Sequence, residues 1–396
     1  MARPAASLSR AIVLVVDSLG IGELPDARHY GDEGSDTLGN IARRVELTIP
    51  HLMTLGLGRV ARIENPRRPD PPCAAFGRMI EASAGKDSVT GHWELMGIVL
   101  DRPFPVFPHG FPREIIAAFE TQSGRRTIGN KAASGTEIIA ELGPDHLTSG
   151  AAIVYTSADS VFQIAAHEAV IPVPELYRLC RMAYDLVTAR LGVSRVIARP
   201  FVGSPGAFTR TTNRRDFAMP PTGETLLDRL RASDVPVLAI GKIEDLFAGR
   251  GISEAIHTAS DADGADEVER AMARLDRGLI FANFVDSDTI YGHRNDVAGY
   301  ASNLERLDTR IGVLLHRLRP DDLLVVTADH GNDPTTPSTD HSREYVPLLV
   351  AGGQVTPGAD LGTRRTFADL GQTLAEMFRV GPLARGTSFL DELLER

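Results

Sequence analysis

The 396-residue sequence has two cysteines, one tryptophan and three lysines, and each scarcity excludes something. Cys73 and Cys180 are too few to build a disulfide framework, and Cys180 falls in a helix-like pattern that reads as buried. No apolar run reaches the ~20 residues that a membrane-spanning helix needs. The longest early run, Ala11–Val16, is also short for the core of a signal peptide, and no small-residue cleavage site follows it. A reducing cytoplasm is therefore the expected location. Positive charge is scarce as well: 42 Lys and Arg stand against 52 Asp and Glu, a net charge of −10. That balance argues against a general nucleic-acid binder and against a polybasic membrane binder.

Of the 42 basic residues only Lys86, Lys131 and Lys242 are lysine, and the other 39 are arginine. A bias towards Arg, Ala, Gly and Pro is what the coding composition of a genome produces. Against that background the three lysines stand out. An ammonium is a compact point charge, whereas a guanidinium is a planar fork, so the three lysines are candidates for positions that use the former, with coding composition as the alternative.

What the chain does have is ordinary globular material, 43% apolar and 24% charged. Its length suggests two or three domains with ample core. Short runs rich in Val and Ile predict strands at Ala11–Val16, Ala152–Tyr155, Arg195–Arg199, Pro236–Ile240, Leu279–Val285, Leu323–Thr327 and Val346–Val350. Helical spacing predicts helices at Glu175–Arg190, Thr225–Arg231, Val297–Leu318 and Phe367–Phe378. Alternating strands and helices predict an α/β protein with a mostly parallel central sheet flanked by helices. Acidic and His-rich motifs gather at both ends of the chain, and proline-rich stretches flank a middle that lacks them. The expected division is one domain from residues 1–100 and 219–396, interrupted by a smaller α/β domain at 101–218.

Three segments put metal-ligand residue types just beyond predicted strands. AIVLVVDSLGIG supplies Asp17; FVDSDTIYGHRND supplies Asp286, Asp288 and His293; LLVVTADHGNDPTTPSTDHSREY supplies Asp329, His330, Asp333, Asp340 and His341. Ligands of open α/β sheets bind beyond the carboxyl ends of strands, so three such ends suggest one shared site. An Asp after a strand is commonly a turn former, and a lone His is commonly structural. A set with three Asp and three His fits two divalent ions of mixed oxygen and nitrogen ligation. Mn²⁺ or Zn²⁺ suits such ligands better than Mg²⁺.

A fourth segment, AGKDSVTGHWELMG at 84–97, holds Thr90 beside the only tryptophan, Trp93. It reads as a glycine-bounded turn entering a helix with Thr90 as N-cap and Trp93 in the core. The competing reading makes Thr90 a nucleophile activated by a nearby metal.

The segments VVDSLGIGELPDA, GKDSVTGHWELMG, GNKAASGTEII, YTSADSVFQIAAHE, RVIARPF, GKIEDLF, VDSDTIYGHR and TADHGNDPTTPSTDHSREYVPLL run in this order across nearly the whole chain. Together they resemble the phosphopentomutases, members of the alkaline phosphatase superfamily. TGHWE and the DHTREY-like motif are the most specific; DHSREY here keeps the histidine, and GKDSV is a small variation. The resemblance implies a dimetal core domain with an inserted cap, and two Mn²⁺ per chain. One would be held by Asp288, His293 and His341, the other by Asp17, Asp329 and His330. It implies Thr90 as the phosphorylated nucleophile and leaves Asp286 behind the ligands. The implied reaction interconverts ribose 1-phosphate and ribose 5-phosphate, and the deoxyribose pair. It runs through phospho-Thr90 and a 1,5-bisphosphate, with glucose 1,6-bisphosphate or a similar sugar bisphosphate as activator.

Two ions contribute +4 and three ligating Asp −3, so the implied site carries +1, which favours a phosphoryl dianion. Paired metals stabilise both oxygens of an in-line displacement and leave the protein mainly positioning work. A second phosphate needs a site away from the metals. In RVIARPF, Arg195, Ile197 and Arg199 alternate onto one strand face, and a guanidinium fork matches phosphate. By the family motif Arg195 is favoured, with Arg210 and Lys242 behind it, and Ser157 and Asp159 for the ribose hydroxyls. Surface or interdomain charge pairs are the bland alternative for the basic residues, and His167 and Glu168 read equally as structural. The same core could serve a phosphate-ester hydrolase or a phosphoglycerate mutase. A sugar-phosphate-binding module is the non-enzymatic alternative, which an intact ligand set with a nucleophile disfavours.

Overall fold

The computed structural model describes residues 8–63, 71–157 and 160–394. The chain forms two compact units, Met1–Arg102 with Pro221–Arg396, and Pro103–Pro220.

The first unit is built on an eight-stranded sheet. Its strands lie in the order Glu254–Ile256, Val237–Ile240, Gly278–Phe284, Arg10–Val16, Asp322–Thr327, Val346–Ala351, Ala75–Met79 and Asp360–Arg364. All neighbours run parallel except Val346–Ala351, which is antiparallel to both of its partners. The three central strands are buried along their whole length, which explains their unbroken apolar runs: a parallel sheet covered on both faces has no polar side to show. Helix Asp261–Arg274 packs on Gly278–Phe284 and Val237–Ile240. The first strand starts at Arg10, one residue before its apolar run. The Arg10 guanidinium is buried because it binds Asp322 in a fork, Nε to Oδ1 at 2.8 Å and Nη2 to Oδ2 at 2.5 Å.

Strands Ala75–Met79 and Asp360–Arg364 lack a strong sequence signal. The first contains Gly77 and Arg78 and has every second residue only half-buried. Gly77 is needed there, because a Cβ would lie 2.8 Å from the carbonyl oxygen of Gly362 on the edge strand.

The second unit has its own sheet, Thr127–Ala132, Ala152–Thr156, Val161–His167, Arg195–Val202 and Thr209–Arg210 in order, with Arg215–Ala218 also paired to Arg195–Val202. Helices Arg113–Ser123 and Val173–Leu191 share a core with this sheet around Phe119, Phe162 and Leu176, and Cys180 is buried in it. Helix Gly135–Ser149 packs through Ile138 and Ile139 on Ile153, Tyr155 and Phe201.

Candidate metal centre

Three parallel strands side by side in the first unit, Gly278–Phe284, Arg10–Val16 and Asp322–Thr327, end at one edge of the sheet. Asp17 follows the middle strand directly, with its N–H donating to the carbonyl of Phe284 at 2.9 Å. Asp329 and His330 lie just past the third strand, and Asp288 sits in the wide turn Ser287–Tyr291 past the first. His341 is brought back by the paired backbone of Gly331 and Ser342.

The ends converge as two triads, Asp17 with Asp329 and His330, and Asp288 with His293 and His341. Within each triad one ligand atom per residue lies within 4.8 Å of the others. His330 Nε2 is 3.3 Å from both Asp17 Oδ1 and Asp329 Oδ2. His293 Nε2 is 3.1 Å and His341 Nε2 3.5 Å from the Asp288 carboxylate. The rings of His330 and His341 stack at 3.9 Å between centroids and join the triads into one centre.

The donor chemistry fits divalent cations. His330 Nδ1 faces the carbonyl of Gly331 at 3.0 Å, and His293 Nδ1 faces that of Thr339 at 2.7 Å. With the proton on Nδ1, each Nε2 presents a lone pair to carboxylate oxygens, and a backbone carbonyl fixing the far nitrogen is the usual support of a ligating histidine. Among the described residues Asp17 Oδ1 is buried with no hydrogen-bond partner, and Asp329 Oδ2 is buried facing His92 Nδ1 and His330 Nε2. Burial, then the charges of Asp329 and Asp288, hold the Asp17 carboxyl well above its usual range, with Lys242 acting the other way. Burial also drives His330 towards the neutral, ligating form. Burial works upward on Asp288 too, but His341 and His293, which donate to it in their protonated forms when no cation lies between them, outweigh it and hold that carboxyl well below its usual range. Buried carboxylate oxygens aimed at imidazole lone pairs are costly unless a cation lies among them.

Helix Ser88–Leu95 enters this centre. Its N-cap is Asp87, so Thr90 is a residue within the first turn rather than the cap. Gly91 allows the helix to touch the metal-ligand strand end, because a Cβ there would lie 2.2 Å from the carbonyl oxygen of Asp329. Ser88 Oγ lies 3.1 Å from His330 Nε2, and His92 Nδ1 lies 3.0 Å from Asp329 Oδ2. The rest of the motif anchors the helix. Trp93, fully buried, donates from Nε1 to the carbonyl of Leu246 at 2.8 Å. The Glu94 carboxylate accepts from the N–H groups of Ala82, Ser83 and Phe367 and from the Thr366 hydroxyl.

The sequence from residue 9 to 382 matches the model of the metalloenzyme superfamily. Two curated relatives carry the name phosphopentomutase. That of Caldanaerobacter subterraneus subsp. tengcongensis is 53% identical over 98% of each chain. That of Kosmotoga olearia is 54% identical over 98% of this chain and 100% of its own. The chain belongs to the phosphopentomutase family. The PH0037 protein of Pyrococcus horikoshii, 16% identical, shares the fold with a TM-score of 0.50 over 96% of this chain and 99% of its own. Family membership and the two triads together make this a metal-dependent protein.

Not every acidic residue of the phosphopentomutase-like motifs reaches the triads. Asp286 exchanges backbone hydrogen bonds with Asp261, Asp286 Oδ2 accepting from Asp261 N at 2.9 Å and Asp261 Oδ1 from Asp286 N at 3.0 Å. Asp333 ties down Asp36, Asn40 and Thr335. Asp340 accepts from the N–H of His341 and pairs with Lys86. Sequence reading passed over Asn283 and Asn332. Asn283 Nδ2 donates to Asp17 Oδ2 at 3.2 Å and faces His92 Nε2 at 3.2 Å; Asn332 Nδ2 donates to Asp288 Oδ1 at 2.8 Å. A polar Asn inside the apolar strand Gly278–Phe284 was the signal available for the first.

The candidate sugar and phosphate ligands divide between the units. Lys242, in the first, is the N-cap of helix Ile243–Leu246. Ser157, half-buried, Arg195 and Arg210 are in the second, and Asp159 lies outside the described residues. Arg195 lies 3.8 Å from Asp216, which Arg214 also holds in a fork, and Arg210 is exposed.

Proposed function

We propose that the chain is a phosphopentomutase, an isomerase that interconverts ribose 1-phosphate and ribose 5-phosphate and the corresponding deoxyribose phosphates. The observation that carries this is the packing of the Thr90 helix, through Gly91 and His92, onto Asp329 of a six-residue carboxylate and imidazole centre. When bound by Asp288, His293 and His341 and by Asp17, Asp329 and His330, two divalent ions, Mn²⁺ being well suited to such ligands, would neutralise and orient a phosphoryl group.

Thr90 is the nucleophile that carries the phosphoryl group between substrates. Phospho-Thr90 passes its group to a pentose monophosphate, giving the 1,5-bisphosphate. The other phosphoryl group then returns to Thr90, and the isomer leaves. A sugar bisphosphate such as glucose 1,6-bisphosphate primes the unphosphorylated chain. Arg195, Arg210 and Lys242 are the candidates for the phosphate that is not being transferred, and Ser157 and Asp159 for the sugar hydroxyls; the charge of Lys242 is also felt at Asp17.

Ribose 1-phosphate with Mn²⁺ and catalytic glucose 1,6-bisphosphate, followed by phosphorus NMR, tests this reading. Ribose 5-phosphate without stoichiometric free phosphate is expected. Free phosphate as the main product would mean a hydrolase, and no change would mean a binding protein.

A further inference from the structure

Asp87 is bound to Thr90 at both the backbone and the side chain. Its Oδ1 accepts from the N–H groups of Val89 and Thr90, each at 3.1 Å, and its Oδ2 accepts from Thr90 Oγ1 at 2.6 Å. An N-cap needs one side-chain oxygen, and the Oδ1 bonds complete it. The second oxygen is therefore free of any capping duty and is committed to the hydroxyl. A separation of 2.6 Å is a short O–H···O bond, close enough for the proton to pass between the two oxygens. Room beside the hydroxyl is narrow, because a Cβ on Gly85 would lie 3.0 Å from both Thr90 Oγ1 and Cγ2. Thr90 itself is fully buried, which removes bulk water as a ready acceptor for its proton.

We propose that Asp87 is a catalytic residue that takes the proton of Thr90 when Thr90 is phosphorylated and returns it when the phosphoryl group leaves. The proposal rests on the reading of Thr90 as nucleophile. As Oγ1 forms its bond to phosphorus, the Thr90 O–H bond breaks and the proton passes to Asp87 Oδ2. The bond from phosphorus to the donor's ester oxygen breaks, and that oxygen leaves with the electron pair and takes a proton from water. In the opposite half-reaction the acceptor hydroxyl gives a proton to water, the Oγ1–phosphorus bond breaks, and Asp87 returns its proton to Oγ1. One turnover of both halves leaves Asp87 and the solvent unchanged.

Asp87→Asn separates this role from capping, because Asn caps a helix as well as Asp does but cannot take up the proton. The test measures transfer of radiolabelled phosphate from glucose 1,6-bisphosphate to the dephosphorylated, Mn²⁺-loaded full chain, alongside the thermal midpoint and bound metal. For Asp87→Asn, labelling is expected to slow about 100-fold or more, the range of general acid–base catalysis, with midpoint and metal content unchanged. The KM for ribose 1-phosphate is expected to stay the same while kcat falls, and Asp87→Glu to recover part of the rate. Labelling of Asp87→Asn within about threefold of the natural chain would overturn the role of Asp87. Thr90→Ala should take no label; label in that variant would overturn the nucleophile reading, and the proposal with it.

Discussion

Arg343 and Glu81 form an ion pair inside the first unit, Nη1 to Oε2 at 2.8 Å, with side chains 4% and 2% exposed. The same guanidinium donates to the carbonyls of Glu81, Ser83 and Gly85 at 2.6–2.8 Å and to the Asp26 carboxylate, and it lies over the ring of Tyr30. One residue of the DHSREY motif therefore holds the segment that leads into the Thr90 helix. Burial pushes the Glu81 carboxyl up, and Arg343 is the main influence in the other direction.

Arg343→Met leaves a buried carboxylate and three carbonyls without their donor. It is expected to cost about 3–5 kcal/mol in urea-induced unfolding, the range for breaking one side of a buried pair. Activity should fall further than stability predicts, because the displaced carbonyls belong to the loop before Thr90. A cost under about 1 kcal/mol, the value of an exposed pair, would show that the cluster is not held by this charge.

The fold was legible at the centre of the first sheet, although Val161–His167 in the second unit went unpredicted despite its burial. The three central strands are buried on both faces, so their apolar runs marked them, and the ligands that follow at their ends were readable from spacing. Ala75–Met79 and Asp360–Arg364 were not, because strands near a sheet edge tolerate Gly, Arg and Asp. Helix Asp261–Arg274 carries Asp at 261, 263 and 266 among small residues, which obscures its apolar stripe, and Ser260 caps it. In the candidate site, ligand residue types announced themselves, but the residues that orient them did not. Asn283, Asn332 and Asp87 act through side-chain hydrogen bonds to partners distant in sequence or hidden in a turn, and no periodicity encodes those. Thr90 illustrates the limit: its segment alone favoured an N-cap, and in the fold that place belongs to Asp87.

Asn283 spans Asp17 and His92 with one amide group, so it links a proposed ligand to the nucleophile helix. Replacing an outer partner of a ligating carboxylate typically weakens metal binding about 10–100-fold. Asn283→Ala is expected to show that loss when Mn²⁺ is titrated calorimetrically into metal-free protein. Unchanged affinity would separate Asn283 from the centre, and absence of binding in the natural chain would count against the metal assignment itself.

Asp261 gives the first unit a pH dependence. Burial, then the charge of Asp286, raises its carboxyl to about 6, against 3.8 for an ordinary aspartate. Between those values the unfolded chain gives up this proton and the folded chain keeps it, so this group lowers stability as pH rises, and the loss levels off above about 6. From pH 5 to pH 7 the expected change is about 1 kcal/mol. Asp261→Asn keeps an acceptor for the N–H of Asp286 and removes the titration. Denaturant unfolding of the two proteins across that range should show the natural chain losing about 1 kcal/mol relative to the variant, and parallel curves would refute the assignment.

The three lysines divide on their surroundings. Lys86 Nζ lies 3.0 Å from both oxygens of Asp32 and 3.6 Å from Asp340, with its side chain 19% exposed, and Asp32 in turn accepts from the N–H of Arg343 at 2.9 Å. A compact ammonium faces the two Asp32 oxygens and one of Asp340 at once beside the Asp87–Thr90 segment, and the longer, planar guanidinium would have to reposition its loop to do the same. Lys131 instead pairs with Glu141 where both side chains are about half exposed. Lys86→Arg is therefore expected to lower kcat/KM about 10–100-fold through displacement of its loop, while Lys131→Arg changes stability by less than about 0.5 kcal/mol and leaves turnover intact. Steady-state kinetics on both variants decides the matter. Silence at both positions would return the scarcity of lysine to coding composition, whereas an effect at Lys86 alone would tie that one residue to the proposed nucleophile.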